Sequence, residues 1–246
     1  MNRIENEWRR SIMNVNHLSD RLAAVASFVK QDARMADIGS DHAYLPTHLA
    51  SSGKIKFAIA GEVVDGPFQA AKQEIERQDL SHMIEARLGN GLAVVQEADQ
   101  IDTVTICGMG GALIVDILTA GLADNKLATH PRLILQANVA EEKVREWLNH
   151  NSYTIIDETI IEENDKFYEI IVADYTEAVL ETWNQDDLMF GRFIKEKEPV
   201  VFARKWQAAL DRANYVLGQL EKAQDPNPAK IRLYQELKQA IEAQLA

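Results

Sequence analysis

Apolar residues at Leu18, Leu22, Val25, Ala26 and Val29 recur three and four positions apart and predict an amphipathic helix near the start of the chain, capped by Ser19 or Asn16. From residue 34 the period changes. Short apolar runs at 34–38, 56–60, 83–88, 103–107 and 133–135 are each separated by a helix-sized segment. Strands that alternate with helices need crossover connections, so the pattern predicts an α/β fold with a parallel sheet. Two later runs, 153–161 and 167–173, are separated only by the polar stretch Glu162-Glu-Asn-Asp-Lys166. No helix fits that interval, and the two strands are expected to pair as an antiparallel hairpin.

The last third of the chain reads as helix. Pro199 stands where a helix can begin, and Trp206, Leu210, Ala213, Leu217 and Leu220 form one apolar stripe. Asp225-Pro-Asn-Pro228 then breaks the chain before a second stripe at Ile231, Tyr234, Leu237, Ile241 and Leu245. The stripes predict an antiparallel, coiled-coil-like helical hairpin over 177–246, appended to a body over 1–176. Trp183 and Phe190 are expected to pack where the tail meets the body.

Composition narrows the class. The chain has 246 residues, 46% of them hydrophobic, which is enough to build a core and argues against disorder. Its net charge of −12 is unevenly spread: residues 1–30 carry +2, 198–246 carry +1, and the middle carries −15. Such a body offers no broad phosphate-binding face, so any nucleic acid would be gripped locally. The pairs Glu141-Glu142 and Glu162-Glu163 read as solvated charge. A single cysteine, Cys107, fits a reducing compartment and reads as a small buried residue at a strand end. Residues 1–12 lack a signal-peptide core and no apolar run approaches the ~18 residues of a membrane span. A soluble, cytoplasmic protein is expected. Met13 is a conceivable alternative start, which leaves Arg3, Arg9 and Arg10 little weight as RNA ligands. No His/Asp/Glu spacing points to a metal site, and His48 reads as structural.

The candidate chemistry lies at strand ends. The first strand ends in Asp37-Ile-Gly39-Ser-Asp41-His42-Ala-Tyr44-Leu-Pro46, a glycine turn that should run into a helix over 46–51. Such a turn surrounds a ligand with backbone N–H groups at the carboxyl edge of the sheet. Glu62, 23 residues beyond Gly39, ends the second strand, where a carboxylate can accept both hydroxyls of an adenosine ribose. Asp41 and Tyr44 replace the later glycines of a pyrophosphate-binding turn. A buried carboxylate at Asp41 would repel a pyrophosphate and attract the ammonium and sulfonium of S-adenosylmethionine, so that cofactor is favoured over NAD. Taken alone, Asp37 and Asp41 could equally cap the turn. Leu88-Gly-Asn90-Gly91, Cys107-Gly108-Met109-Gly110-Gly111 and Gln136-Ala-Asn138 follow the next three strands, and turn chemistry alone does not account for the whole series.

With these residues in place, the sequence resembles the class I methyltransferases. More narrowly, it resembles the bacterial TrmK-type tRNA adenine N1-methyltransferases, which modify adenine 22. The resemblance runs through LSDRL, DIGSDHAYLP, GEVVDGP, GNG, ICGMGG and QAN, from about residue 17 to 174. It implies a Rossmann-like seven-stranded sheet of order 3-2-1-4-5-7-6 with strand 7 antiparallel, S-adenosylmethionine as cofactor and tRNA as partner. Carried over by position, Gly39 would face the methionyl end and Glu62 the ribose, with Asp37 and Asp41 counted among the cofactor-binding residues. Asn90 and Gly91 would border the adenine ring of the cofactor, and Gly108 and Met109 would line the methyl-transfer crevice. Gly-Met-Gly-Gly stands where exocyclic-amine methyltransferases carry an [Asp/Asn]-Pro-Pro-aromatic motif, which suits attack by a ring nitrogen. Tyr44 is the candidate platform for an extruded base, with Asp41, His42 and Asn138 as polar contacts. Against these roles stand a core position for Tyr44 and a helix-start cap for His42. Two alternatives to the tRNA enzyme are a small-molecule methyltransferase and a non-catalytic RNA- or cofactor-binding scaffold.

Overall fold

The computed structural model describes residues 17–178, 181–222 and 227–246. Asn16, Met13, Arg3, Arg9, Arg10, Asp225 and Pro226 lie outside the described residues. Seven strands form one sheet: β1 (Ala33–Ile38), β2 (Ile55–Glu62), β3 (Ile84–Leu88), β4 (Thr103–Met109), β5 (Arg132–Ala137), β6 (Tyr153–Glu163) and β7 (Lys166–Tyr175). Their order is 3-2-1-4-5-7-6, as the resemblance implies. The first five are parallel, and β7 runs antiparallel to both β5 and β6. Chain order reverses between β1 and β4, and that switch point opens a crevice at the carboxyl ends of the strands.

The strand alternation feeds two cores, one on each face. Met35, Ala58, Ile134 and Val172 face helices α1 (Asp20–Phe28), α2 (Tyr44–Ser51) and α3 (Asp65–Arg77), meeting Val25, Leu49 and Ile75. Ala36, Ile59, Val104 and Leu133 face the other way, toward Ile114 and Leu118 of α4 (Gly111–Ala123) and Val144 and Leu148 of α5 (Glu141–His150). Ser19 is the cap of α1, its hydroxyl accepting from Leu22 N at 3.2 Å.

Three local expectations need correction. The stretch 162–166 is mostly strand: only Asn164 and Asp165 turn, both left-handed at φ 53° and 58°, as a two-residue hairpin turn requires. Helix α2 starts at Tyr44, two residues early, because Pro46 sits in its first turn where no N–H is needed. The acidic pairs are not all solvated. Glu141 meets Lys205 at 2.9 Å, Glu162 meets Arg204 at 2.8 Å, and Glu163 accepts from Asp20 N at 2.7 Å.

Beyond β7 come two unforeseen short helices, α6 (Gln185–Phe190) and α7 (Ile194–Lys197), and then the long α8 (Pro199–Glu221) and α9 (Pro228–Leu245). Asn227 caps α9, accepting from Lys230 N at 3.1 Å, with Pro228 in its first turn. Ile241, late in α9, packs on Phe202 and Trp206, early in α8, so the two helices run antiparallel. The same cluster takes in Ile160 of β6 and Phe190, with Phe167 of β7 against it, so the tail shares a core with the strand hairpin. Phe190 packs as expected, and Trp183 lies under the Arg192 guanidinium, 4.6 Å from its ring centroid.

A buried ionic network fastens this junction. Arg145 of α5 is fully buried and donates to Glu158 at 2.6 Å, to Glu169 at 2.5 Å and to the Leu188 carbonyl at 3.0 Å. Lys205 of α8 donates to Glu169 at 2.6 Å and to Glu141 at 2.9 Å. Burial alone would raise the Glu169 carboxyl, but Arg145 and Lys205 outweigh it and hold the group below the ordinary glutamate value of 4.5. Its contribution to stability is therefore present above that pH and lost as pH falls through the depressed value. Arg145→Met removes the cation and leaves buried Glu158 with only the Arg192 amide and Glu169 with only Lys205, at a cost of about 3–5 kcal/mol. Urea unfolding at neutral pH should show a loss of that size, and a loss under about 1 kcal/mol would mean the network is not holding the junction.

Candidate active site

The turn after β1 carries the site's strain. Gly39, Asp41, His42 and Ala43 all have positive φ, at 72°, 41°, 26° and 55°. Three of these are not glycine, and each such residue costs about 1–2 kcal/mol unless its surroundings enforce it. Asp37, only 4% exposed, supplies the enforcement. Its two carboxylate oxygens accept from Ser40 Oγ at 2.6 Å and from Thr105 Oγ1 of β4 at 2.5 Å. Gly39 N and Ser40 N donate to the Gly61 carbonyl at 2.9 and 3.3 Å, and Asp41 N donates to Glu62 Oε1. Burial raises the Asp37 carboxyl, against the two hydroxyl bonds and the charge of Arg21.

A side chain at Gly39 would also crowd the end of β4. A Cβ there would lie 2.2 Å from the Met109 methyl, so the turn and the end of β4 close on one another. β4 itself bulges at Gly108, φ 77°, where its register with β5 slips. Between these walls lies a crevice of about 260 Å3, lined by Arg21, Asp37, Asp41, Tyr44, Cys107 and Met109 among others. Burial pushes the Cys107 thiol up, so it stays protonated, half-buried in the wall.

The sequence-derived residues distribute as follows. Asp37, Gly39, Asp41, Tyr44, Gly108 and Met109 meet in the crevice. The buried carboxylate of the turn is Asp37 and not Asp41: β1 still holds Asp37 beside Thr105, whereas Asp41 lies past the strand with its side chain 72% exposed. His42 stacks on Tyr44 with centroids 5.3 Å apart and stands 3.5 Å from Asp41. Tyr44 is half-buried and belongs to none of the three cores. Glu62, 7% exposed, lies behind the turn, and burial pushes its carboxyl up. Asn90 and Gly91 sit at the next turn, joined to Glu62 through the 2.7 Å bond from Gly89 N to the Glu62 carbonyl. Val63 and Leu88 flank Glu62 with 63% and 52% of their surface exposed.

Asn138 stands apart, at the edge of a second cavity. This groove of about 610 Å3 is lined by Asn138, Val139, Lys166, Tyr168, Lys205 and Trp206 among others. Asn138 Nδ2 donates to the Gly108 carbonyl at 2.7 Å, which ties the groove to the crevice. Arg21, Ser40, Thr105, Gln136 and Tyr168 escaped the sequence reading as site residues. Arg21 and Gln136 lie within motifs already noted, and Thr105 was detectable as a hydroxyl inside an apolar strand.

Among the described residues Asp37 and Asp41 outnumber Arg21 in the crevice lining, which favours a ligand with positive charge. The narrow gap at Gly39 and the buried acceptor at the end of β2 fit S-adenosylmethionine, whose sulfonium supplies an electrophilic methyl group when bound. Among the described residues no group of three His, Cys, Asp or Glu could hold a metal, and no helix is long and apolar enough to cross a membrane.

A sheet of this order, with a glycine turn after β1 and an acidic end to β2, defines a Rossmann-like class I methyltransferase. The family model of TrmK, tRNA (adenine(22)-N(1))-methyltransferase, matches residues 35–245. A tRNA (adenine(22)-N(1))-methyltransferase of Bacillus subtilis is 42% identical over 90% of this chain and 93% of its own. A Streptococcus pneumoniae protein solved in complex with S-adenosyl-L-methionine is 42% identical, with a TM-score of 0.83 over 94% of this chain and 100% of its own. The crystal structure of the Bacillus subtilis m1A22 tRNA methyltransferase TrmK is 38% identical, with a TM-score of 0.84 over 94% of this chain and 99% of its own. The chain belongs to the TrmK family of tRNA (adenine(22)-N(1))-methyltransferases. It is an S-adenosylmethionine-dependent enzyme, which sets aside the scaffold and small-molecule alternatives.

Gly39→Ala should keep the fold and lose the cofactor. The left-handed φ costs about 1–2 kcal/mol, and the new methyl displaces Met109 into the crevice. Calorimetry with S-adenosylmethionine should show at least tenfold weaker binding beside a small fall in Tm. Unchanged affinity would place the cofactor elsewhere.

Proposed function

We propose that adenine 22 of tRNA is methylated at the mouth of the crevice between Gly39 and Met109, with the extruded base stacked on Tyr44. The observation that carries this reading is a half-buried Tyr44, outside every core and stacked on His42, at the edge of a crevice whose walls meet at Gly39. In this reading Asp37, Gly39, Asp41, Gly108 and Met109 hold the methionyl end of the cofactor, Glu62 the ribose, and Asn90 and Gly91 the adenine edge. Asp37 acts mainly by positioning, since both its oxygens are engaged by hydroxyls.

Adenine N1 attacks through its own lone pair. No proton has to be removed first, so the residues around it have to hold the base in line and exclude water. Methylation leaves the base cationic, and the exposed Asp41 carboxylate at the crevice mouth lowers the cost of that charge. Asn138 and His42 are polar contacts to the base.

The tail over 177–246 is proposed as the tRNA-gripping part and 1–176 as the methyltransferase part. Residues 198–246 carry +1 against −15 in the middle of the chain, so the tail is the least repulsive long surface for phosphates. With tRNA as substrate, the cytoplasm is the location this reading proposes.

Tyr44 gives the test. Tyr44→Phe keeps a ring face and should retain most single-turnover activity, while Tyr44→Ala should lose about 1–3 kcal/mol of stacking. Both should bind S-adenosylmethionine as the wild type does and melt close to it. A large fall in Tm for Tyr44→Ala, with turnover falling only as the folded fraction falls, would return the residue to a packing role.

A further inference from the structure

We infer that Arg21 and Gln136 fix the polarity of the Asn138 amide so that it reads the N6/N7 edge of the target adenine, leaving N1 free for methylation. The inference rests on the proposed contact between Asn138 and the base and adds the edge that is read and the residues that orient the reader.

The polarity follows from counting hydrogen bonds. Gln136 is fully buried, and its Oε1 accepts from Arg21 Nη1 at 2.7 Å and from Gly108 N at 3.0 Å. Its Nε2 donates to the Ala137 carbonyl at 2.7 Å and to Asn138 Oδ1 at 3.2 Å. A carboxamide offers two lone pairs and two protons, and all four are used. A flipped amide would set NH2 against a guanidinium and a backbone N–H, so the orientation is unique. Asn138 inherits it. Its Oδ1 takes one proton from Gln136, and its Nδ2 gives one to the Gly108 carbonyl at 2.7 Å. One acceptor lobe and one N–H remain on an exposed side chain at the edge of the groove, next to the Gly108 carbonyl.

A free acceptor lobe and a free N–H of an asparagine are the complement of adenine N6–H and N7. That edge lies away from N1, so the reader does not cover the nucleophile. Guanine presents two acceptors, O6 and N7, on the same edge, and the fixed acceptor lobe of Asn138 would face one of them unpaired. Arg21 also connects this relay to the groove, its guanidinium lying 5.5 Å from the Tyr168 ring centroid. Arg21 and Gln136 are thus positioning residues.

The test is single-turnover methylation, at saturating S-adenosylmethionine, of synthetic tRNA carrying adenine or 7-deazaadenine at position 22. The substitution removes N7 and keeps N1 and N6. The wild type should slow about tenfold or more on the 7-deaza substrate, as expected for loss of one half of a bidentate contact. Asn138→Ala should be slow on adenine and show no further penalty. Arg21→Met removes one of the two donors to Gln136 Oε1 and leaves Gly108 N, and it should shrink the 7-deaza penalty while staying folded. A wild type that methylates both substrates equally, with Asn138→Ala slow, overturns the edge assignment but leaves the base contact standing. An Asn138→Ala variant as fast as the wild type removes the base contact itself. A full 7-deaza penalty in Arg21→Met overturns the relay.

Discussion

The buried carboxylate of Asp37 is the constraint on which the site depends. It holds Ser40 from its own turn and Thr105 from β4 with two hydrogen bonds of 2.6 and 2.5 Å. Because β1 and β4 are the strands between which chain order reverses, these bonds brace the switch point where the sheet opens. The left-handed run at Asp41, His42 and Ala43 leaves a turn whose residues 39–41 are tied to Asp37, Gly61 and Glu62. With the turn so placed, Gly39 reaches Met109, Tyr44 is lifted out of the cores, and a narrow crevice with an acidic lining results.

A second set of ties reaches the site from the far side of the molecule. Lys205 on α8 holds Glu141, the first residue of α5, and the chain between Asn138 and that helix forms the rim of the groove. Gly111 N donates to the Val139 carbonyl at 2.8 Å, and a Cβ on Gly111 would stand 2.1 Å from the Ala140 oxygen, so α4 begins in direct backbone contact with that rim. The position of Asn138 therefore depends on the sheet, on α4 and, through Lys205 and the Arg145 network, on the tail. This links the tail to the geometry of the site as well as to the surface beside it.

Much of the fold was legible in the sequence because its signals are local. Each strand is a short apolar run closed by a glycine or polar turn, and the brief interval after residue 161 required a hairpin. The extent of that hairpin was hidden because Glu162 and Glu163 look like loop residues, yet an outer strand accepts them when Arg204 and the start of α1 supply partners. At the site, residue types were readable and their burial was not. Asp37 and Asp41 are indistinguishable as letters four positions apart, and only the end of β1 between them decides which is buried. The Arg21–Gln136 bond joins residues 115 positions apart, so no spacing rule announces it. Arg145 was equally hidden: on a strongly amphipathic helix it reads as polar surface until β6 and β7 place two carboxylates over it.

Amide hydrogen exchange on Asp37→Ala measures the brace directly. Residues 39–41, whose amides bond to Gly61 and Glu62, should lose most of their protection while β1, β4 and β5 keep theirs. Protection at 39–41 equal to that of the wild type, or a loss spread evenly across the sheet, would contradict it.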